Sequence, residues 1–479
     1  MNFSILRFIL GHVIKLEALF FLLPCITALI YRESTGWYFL AVAVFCFFIG
    51  FLMTFKKPTD KAFYLKEGCV ATALSWIFLS FFGCLPLWIS GEIPCFEDAL
   101  FETISGFTTT GASILSNVEE LSHCALMWRS FTHWIGGMGV LVFLLAIIPL
   151  SGGSSINLMR AESPGPSVGK LVPKIRYSAR ILYLIYLFMT ILEFGLLVFG
   201  GMPLFDAMAT SFGTAGTGGF GIKADSIASY STYLQWVITI FMLLFSVNFN
   251  AYYLLLLGDI RRAFAMEEVR HFFFIVLAST TFIFFQIIDN VGNVFQAITQ
   301  SSFQVASIIS TTGFSTVDFD AWNSNAKSVL VLLMFIGACA GSTGGGIKVS
   351  RLSILLKTVV KELNSYIHPR SIKKIKMDGK TIEHDVVRSV NVYFITFMLL
   401  FSFSVLLISL EGKDLITSFT AVIATINNIG PGLELVGPSA HFGHFNIFSK
   451  AVLMFDMLAG RLELFPLLIL FHPGIWKEV

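Results

Sequence analysis

Apolar stretches of membrane-spanning length alternate along this chain with short basic, acidic or glycine-rich segments. About 20 predominantly apolar residues are needed to cross a bilayer. Two such stretches come first, at 5–30 and 37–55. No small-residue cleavage pattern follows the first, so it reads as a retained span rather than a signal peptide. A three-part pattern then recurs four times. It consists of an apolar span, a shorter segment ending in a Thr/Ser/Asn/Gly string, and a second long apolar span. The first unit uses 69–89, 96–113 and 127–150, and the second 181–199, 203–220 and 234–257. The third uses 272–288, 291–315 and 327–348, and the fourth 390–410, 415–432 and 447–471.

The middle segments are too short and too polar at their ends to span. A half-length helix followed by a glycine string suits a re-entrant hairpin, because non-helical backbone at membrane depth is tolerated only inside protein or beside water. Four of them at regular intervals call for one shared axis. The pattern predicts an all-α membrane protein, with four span–re-entrant pore loop–span units around a central pore and two extra N-terminal spans. The boundaries are an N-terminal hairpin (1–60), pore units at 61–160, 161–262 and 263–360, a basic cytoplasmic linker (361–386) and a fourth unit (387–479). Ten spans place both termini in the cytoplasm.

Composition agrees with a lipid exterior. Hydrophobic residues make up 56% of the 479 and charged residues 13%, against roughly 25% charged in soluble domains. The net charge of +2 is uninformative, but its distribution is not: most of the 32 Lys and Arg fall at 56–66, 160–180, 261–270 and 348–388. Each cluster lies directly between spans, which reads as cytoplasmic topology and not as nucleic-acid binding. Acids such as Glu92, Glu102, Asp206, Asp318 and Glu434 fall in the outer segments and favour cations at the outer mouth. The seven Cys lie mostly in apolar runs without zinc spacing, although Cys95 and Cys124 could both lie outside and pair.

The strings are Thr108-Thr109-Thr110-Gly111, Ala215-Gly216-Thr217-Gly218, Ser310-Thr311-Thr312-Gly313 and Asn427-Asn428-Ile429-Gly430. A dehydrated cation needs a ring of oxygens in place of its water shell, and backbone carbonyls supply them without fixed charge. Glycine adopts the required backbone cheaply. Thr, Ser and Asn add side-chain oxygens, and a preceding helix points its negative dipole end at the ion. No carboxylate, thiolate or imidazole occurs in the strings, which argues against Ca²⁺ and transition metals. The expected filter residues are Thr109, Thr110, Gly111, Gly216, Thr217, Gly218, Thr311, Thr312, Gly313, Asn428, Ile429 and Gly430.

Other motifs carry less. Gly216–Gly221 matches GxGxxG by letter but lacks a βαβ context, and Gly341–Lys348 has its Lys one place too late for a phosphate loop. His441 and His444 have no third ligand. No paired carboxylates, HExxH or nucleophile elbow suggest an enzyme.

Taken with Phe107–Ser113, Ser310–Ser315, Asn427–Gly432, Gly341–Lys348 and Ala459–Glu463, the chain resembles the Trk/Ktr/HKT superfamily of K⁺ transporters, and within it the membrane subunits of bacterial Trk potassium uptake systems. The resemblance covers essentially the whole chain. It implies gated, channel-like K⁺ uptake across the inner membrane. Potassium symport coupled to H⁺ or Na⁺, or a less selective K⁺/Na⁺ pathway, is the alternative. It also implies a homodimer with one pore per subunit and a docked cytosolic ring of NAD/ATP-binding regulatory subunits, so that this chain needs no cofactor of its own. The resemblance puts the filter glycines at Gly111, Gly218, Gly313 and Gly430, and Gly111 stands where Na⁺-preferring relatives have Ser. Ala215 and Gly216 make the ring uneven.

The run Gly341-Ser342-Thr343-Gly344-Gly345-Gly346 interrupts an apolar span and is unfavourable for a lipid-facing helix. With Lys348 and Arg461 it is the expected intramembrane gate. Arg461 is expected to face this loop or to pair with Asp456 or Glu463, and Glu193 to face protein or water without an assignable partner. Asn248 and Asn250 read as interhelical hydrogen-bonding groups.

Overall fold

Four helices of almost equal length frame the chain. Leu65–Ile89, Ile175–Phe199 and Glu267–Val291 have 25 residues each and His384–Ser409 has 26. The structure, a computed structural model, describes residues 1–58, 64–139, 175–370 and 374–476. A helix of 25 residues is about 37 Å long, enough for the roughly 30 Å hydrocarbon core with some tilt. Leu184, Phe188, Leu277, Phe285, Leu399 and Phe403 are exposed on these helices, as apolar residues facing lipid would be.

Each long helix is followed by a short one: Phe96–Phe107, Leu204–Gly216, Val294–Ile309 and Leu415–Ile426. Their starts are locally specified. The Asp414 side chain accepts from Thr417 N at 2.8 Å, and Asn293 accepts from Phe295 N at 3.0 Å, which satisfies amides that a helix start leaves unpaired.

The third element of each set departs from expectation. Stretches 127–150, 234–257, 327–348 and 447–471 were expected as long spans. The observed helices are His123–Met138, Thr232–Ser246, Ser324–Ile336 and Ile447–Arg461, of 16, 15, 13 and 15 residues. At 1.5 Å per residue they reach only about 20–24 Å. Each stops for a local reason. Gly139 ends the first at φ 80°, and 140–150 lie outside the described residues. Asn248 caps a new helix, Phe249–Leu256, set at 92° to its predecessor. Gly337 turns the third at φ 68°, and Glu463 and Leu464 take φ 53° and 69° after the fourth. Among the described residues six helical segments are therefore long and apolar enough to cross a membrane, or seven if the bent pair counts as one, fewer than the ten expected.

The short helices pack between the long and closing helices of their own set, and each closing helix also packs on the next short helix: His123–Met138 on Leu204–Gly216, Thr232–Ser246 on Val294–Ile309, Ser324–Ile336 on Leu415–Ile426, and Ile447–Arg461 back on Phe96–Phe107. The chain thus closes on itself. Phe3–Phe20, Leu22–Tyr31 and Gly36–Phe55 pack outside the first set. Gly11 and Gly50 bring the first and third of these together so closely that a methyl on either would collide with the other helix. Val349–Ile367 packs on Glu267–Val291 and His384–Ser409 and leads to a small hairpin pairing Lys376–Met377 with Lys380–Thr381. All seven cysteines are unpaired, so Cys95 and Cys124 form no bridge.

Candidate functional site

The four short helices end in one conformation. Thr109, Thr217, Thr311 and Asn428 adopt φ of 56°, 54°, 60° and 54°. Each donates its N–H to the carbonyl three residues back, and the following residue donates five back: Thr110 to Ser105 at 2.8 Å, Gly218 to Gly213 at 2.8 Å, Thr312 to Ser307 at 2.9 Å and Ile429 to Ala424 at 2.8 Å. This is a Schellman ending with a left-handed residue where glycine is usual. A β-branched Thr in that region is strained, and three of the four are Thr.

Two residues on, Gly111, Gly219, Gly313 and Gly430 take φ of 79°, 75°, 87° and 100°. The second string is therefore displaced by one residue from its expected register: Gly219, not Gly218, is equivalent to Gly111, Gly313 and Gly430. Gly218 instead stands with Thr110, Thr312 and Ile429, and Gly216 with Thr108, Ser310 and Asn427. Ala215 belongs to the helix.

The glycines define a ring. A Cβ on Gly111 would strike the Gly218 carbonyl oxygen, one on Gly219 that of Thr312, one on Gly313 that of Ile429, and one on Gly430 that of Thr110. Each string leans on the next in cyclic order, and only glycine permits that approach in that backbone conformation. Thr108–Thr110, Thr217, Ser310–Thr312 and Asn427–Ile429 are all inaccessible, whereas Gly111, Gly219 and Gly313 are partly accessible. Thr108 Oγ1 lies 2.8 Å from Thr110 Oγ1, Ser310 Oγ lies 2.7 Å from Thr312 Oγ1, and Asn428 Nδ2 donates to Thr110 Oγ1 at 2.9 Å.

Two residues that the sequence reading did not single out hold the ring in place. His133 Nδ1 lies 2.7 Å from the Gly106 carbonyl oxygen, and its Nε2 accepts from Phe220 N at 3.2 Å. The ring is thereby fixed as the neutral tautomer, protonated at Nδ1, and bridges the first short helix to the second string. The His133 imidazole is also what a side chain on Gly218 would strike. Arg129 donates from Nε and Nη2 to Glu102 Oε1 at 2.9 and 2.7 Å, and Glu102 Oε2 accepts from Ile114 N at 3.0 Å. Both were legible as ionisable residues inside an apolar stretch, which mark functional positions by default.

The glycine-rich segment lies against the ring. Gly345 N donates to Thr311 Oγ1 at 2.7 Å, and Cβ atoms on Gly344 and Gly345 would crowd the Ser310 and Asn427 carbonyls. The segment also fills the break in the second closing helix: Cys339 N donates to Ser246 O at 3.0 Å and Phe249 N to Gly341 O at 3.1 Å. Arg461 Nη1 donates to Thr343 O at 2.9 Å and Nη2 to Gly137 O at 2.9 Å, with Gly136 O as a further acceptor. It pairs with neither Asp456, which accepts from Ser404 Oγ at 2.8 Å, nor Glu463, which pairs with Arg351. Lys348 Nζ donates to the Gly344 carbonyl. Asn248 caps Phe249–Leu256 rather than bonding only between spans, accepting from Asn250 N at 3.0 Å. Glu193 is fully buried on Ile175–Phe199, facing Thr214.

No group of three or more His, Cys, Asp or Glu suited to a metal ion occurs among the described residues. Oxygen-only surroundings without carboxylates suit a weakly held monovalent cation. Residues 37–477 match the family model described as "TrkH: Cation transport protein". The chain is 35% identical over 489 residues to the Trk system potassium uptake protein TrkH of Salmonella typhimurium, covering 100% of both chains. It is 34% identical over 476 residues to TrkG of Escherichia coli K12, covering 98% of this chain and 97% of that one. The crystal structure of the potassium transporter TrkH from Vibrio parahaemolyticus superposes with a TM-score of 0.90 at 32% identity, over 100% of both chains.

Proposed function

The chain belongs to the TrkH family of cation transport proteins and serves K⁺ uptake as a multi-pass inner-membrane protein, and from that premise we propose that K⁺ crosses through the ring of four strings. The cyclic contact of Gly111, Gly219, Gly313 and Gly430 with neighbouring carbonyls carries this reading. It supports an arrangement of backbone oxygens from four chain segments around one axis, at the C-terminal ends of four helices whose dipoles favour a cation. The filter is then Thr109–Gly111, Thr217–Gly219, Thr311–Gly313 and Asn428–Gly430. The repeated sets of long, short and closing helices support four pore units at 61–160, 161–262, 263–360 and 387–479, with 1–60 as an added hairpin.

Gly341–Gly346, Lys348 and Arg461 act as the gate. The segment touches the third and fourth strings, and the Arg461 guanidinium ties it to Gly136 and Gly137. A positive charge there opposes a passing cation. The family resemblance favours a homodimer, cytoplasmic termini and a nucleotide-binding cytosolic ring beneath the basic segments. The exposed apolar residues Leu356, Val359, Val360, Leu363 and Tyr366 on Val349–Ile367 support a protein neighbour on that face.

The test is ion flux into liposomes holding the purified protein, comparing K⁺, Rb⁺, Na⁺ and Li⁺ while K⁺ and pH gradients are varied independently. Channel-like uptake predicts K⁺ and Rb⁺ flux ahead of Na⁺ and Li⁺ and a reversal potential set by K⁺ alone. A reversal potential that follows pH would replace it with coupled transport.

A further inference from the structure

We infer that Glu268 is the latch that holds the glycine-rich segment in its observed position against the ring, a positioning residue for gating; this rests on the gate reading above. Glu268 stands in the first turn of Glu267–Val291, is buried, and is not part of the segment it holds. Its Oε1 accepts from Ala340 N at 2.6 Å and from Ser350 N at 3.1 Å, and its Oε2 accepts from Asn248 Nδ2 at 3.3 Å. Ala340 and Ser350 flank Gly341–Lys348, so one carboxylate grips the loop at both ends. Asn248 is the cap at the break into which the loop is inserted, so the same group also holds the socket.

The chemistry suits a carboxylate. Ser350 belongs to the first turn of Val349–Ile367, whose N-cap residue Lys348 contributes no side-chain hydrogen bond. Helix starts leave amides unpaired, and Glu268 supplies from a distant element the acceptor that a local Ser or Asp would normally provide. The carboxylate also sits at the positive ends of two helix dipoles, its own and that of Val349–Ile367. Lys348 and Arg351 lie within electrostatic reach of it. Each of these groups favours the carboxylate form and works against the desolvation that burial imposes on it. The adjacent Glu267 faces outward, pairing with Lys357 and donating its N–H to Asp378 Oδ1 of the cytoplasmic hairpin at 2.7 Å. Displacement of the hairpin would thus pull on the helical turn that carries the latch.

In liposomes without any partner, Glu268→Ala should raise K⁺ flux about tenfold, as expected when two buried amides lose their acceptor. Glu268→Gln keeps an acceptor oxygen and should fall between Ala and the parent. Hydrogen exchange at 338–350 should rise in the same order, which a general loss of stability would not confine to that segment. Deletion of Gly341–Gly345 is run alongside. If the deletion raises flux while both Glu268 variants match the parent in flux and exchange, the latch is overturned and the gate stands. If the deletion leaves flux unchanged, the gate reading itself falls. Should Glu268→Ala fail to yield folded protein, parent-like exchange in Glu268→Gln together with parent-like flux in Glu268→Asp, whose shorter arm cannot reach both amides, overturns the latch.

Discussion

The conformation of single residues decides where an ion can be held. Thr109, Thr217, Thr311 and Asn428 carry left-handed strain of about 1–3 kcal/mol each, a cost that persists only where the surroundings over-determine it. The glycines that follow are intolerant for a second reason, since a side chain would meet the next string's carbonyl oxygen. Gly111→Ser and Gly219→Ser should each raise Na⁺ permeation relative to K⁺ by roughly 5- to 150-fold, corresponding to about 1–3 kcal/mol of backbone disturbance; unchanged permeability ratios in both would remove the ring from selectivity. The register of the second string was legible in hindsight. A Thr-x-Gly frame fits Thr109–Gly111, Thr217–Gly219 and Thr311–Gly313, whereas reading glycine to glycine in a Gly-rich run favours the nearer Gly218. The buried Arg129–Glu102 pair supports the first string and makes a separate prediction. Arg129→Ala strands a buried carboxylate and should destabilise the protein by about 3–5 kcal/mol, read as a lowered unfolding temperature in detergent. A change no larger than that of exposed Arg262→Ala would contradict it.

Among elements, the long helices and the half-length helices were plain from apolar run length, because lipid demands it. The closing helices were not. Their breaks depend on Asn248, Gly139, Gly337 and Glu463, each of which is compatible with a continuing helix until a neighbour provides the hydrogen bonds that make stopping favourable. The insertion of 338–345 into the break at Val247-Asn248 is such a long-range bargain between two sets, invisible to local periodicity. The proposed gate belongs to this scale. Deleting Gly341–Gly345, or Arg461→Ala, should raise partner-free flux. Shifting a two-state element from mostly closed to mostly open takes about 5.5 kcal/mol, more than one arginine's contacts supply, so the deletion should have the larger effect. Variants that fold and conduct no better than the parent would leave the segment as packing.

At the scale of the whole molecule, repetition was the most legible feature and ring closure the least. Four similar strings suggested a common axis, but only the cyclic packing of closing helices on successive short helices brings the fourth set back to the first. Orientation rests on the basic clusters. In a cysteine-free background, Lys380→Cys should react in intact cells only with membrane-permeant reagents and Ser439→Cys with impermeant ones; both positions are exposed. The reverse pattern would invert the topology. If the ring carries the ion, anomalous diffraction from crystals soaked in Rb⁺ or Tl⁺ will locate it there. The expected result is a peak on the axis of the ring, within coordination distance of backbone oxygens from all four strings, that disappears in Gly219→Ser. Anomalous density elsewhere along the chain, with none at the ring in a protein that still conducts Rb⁺, would contradict it.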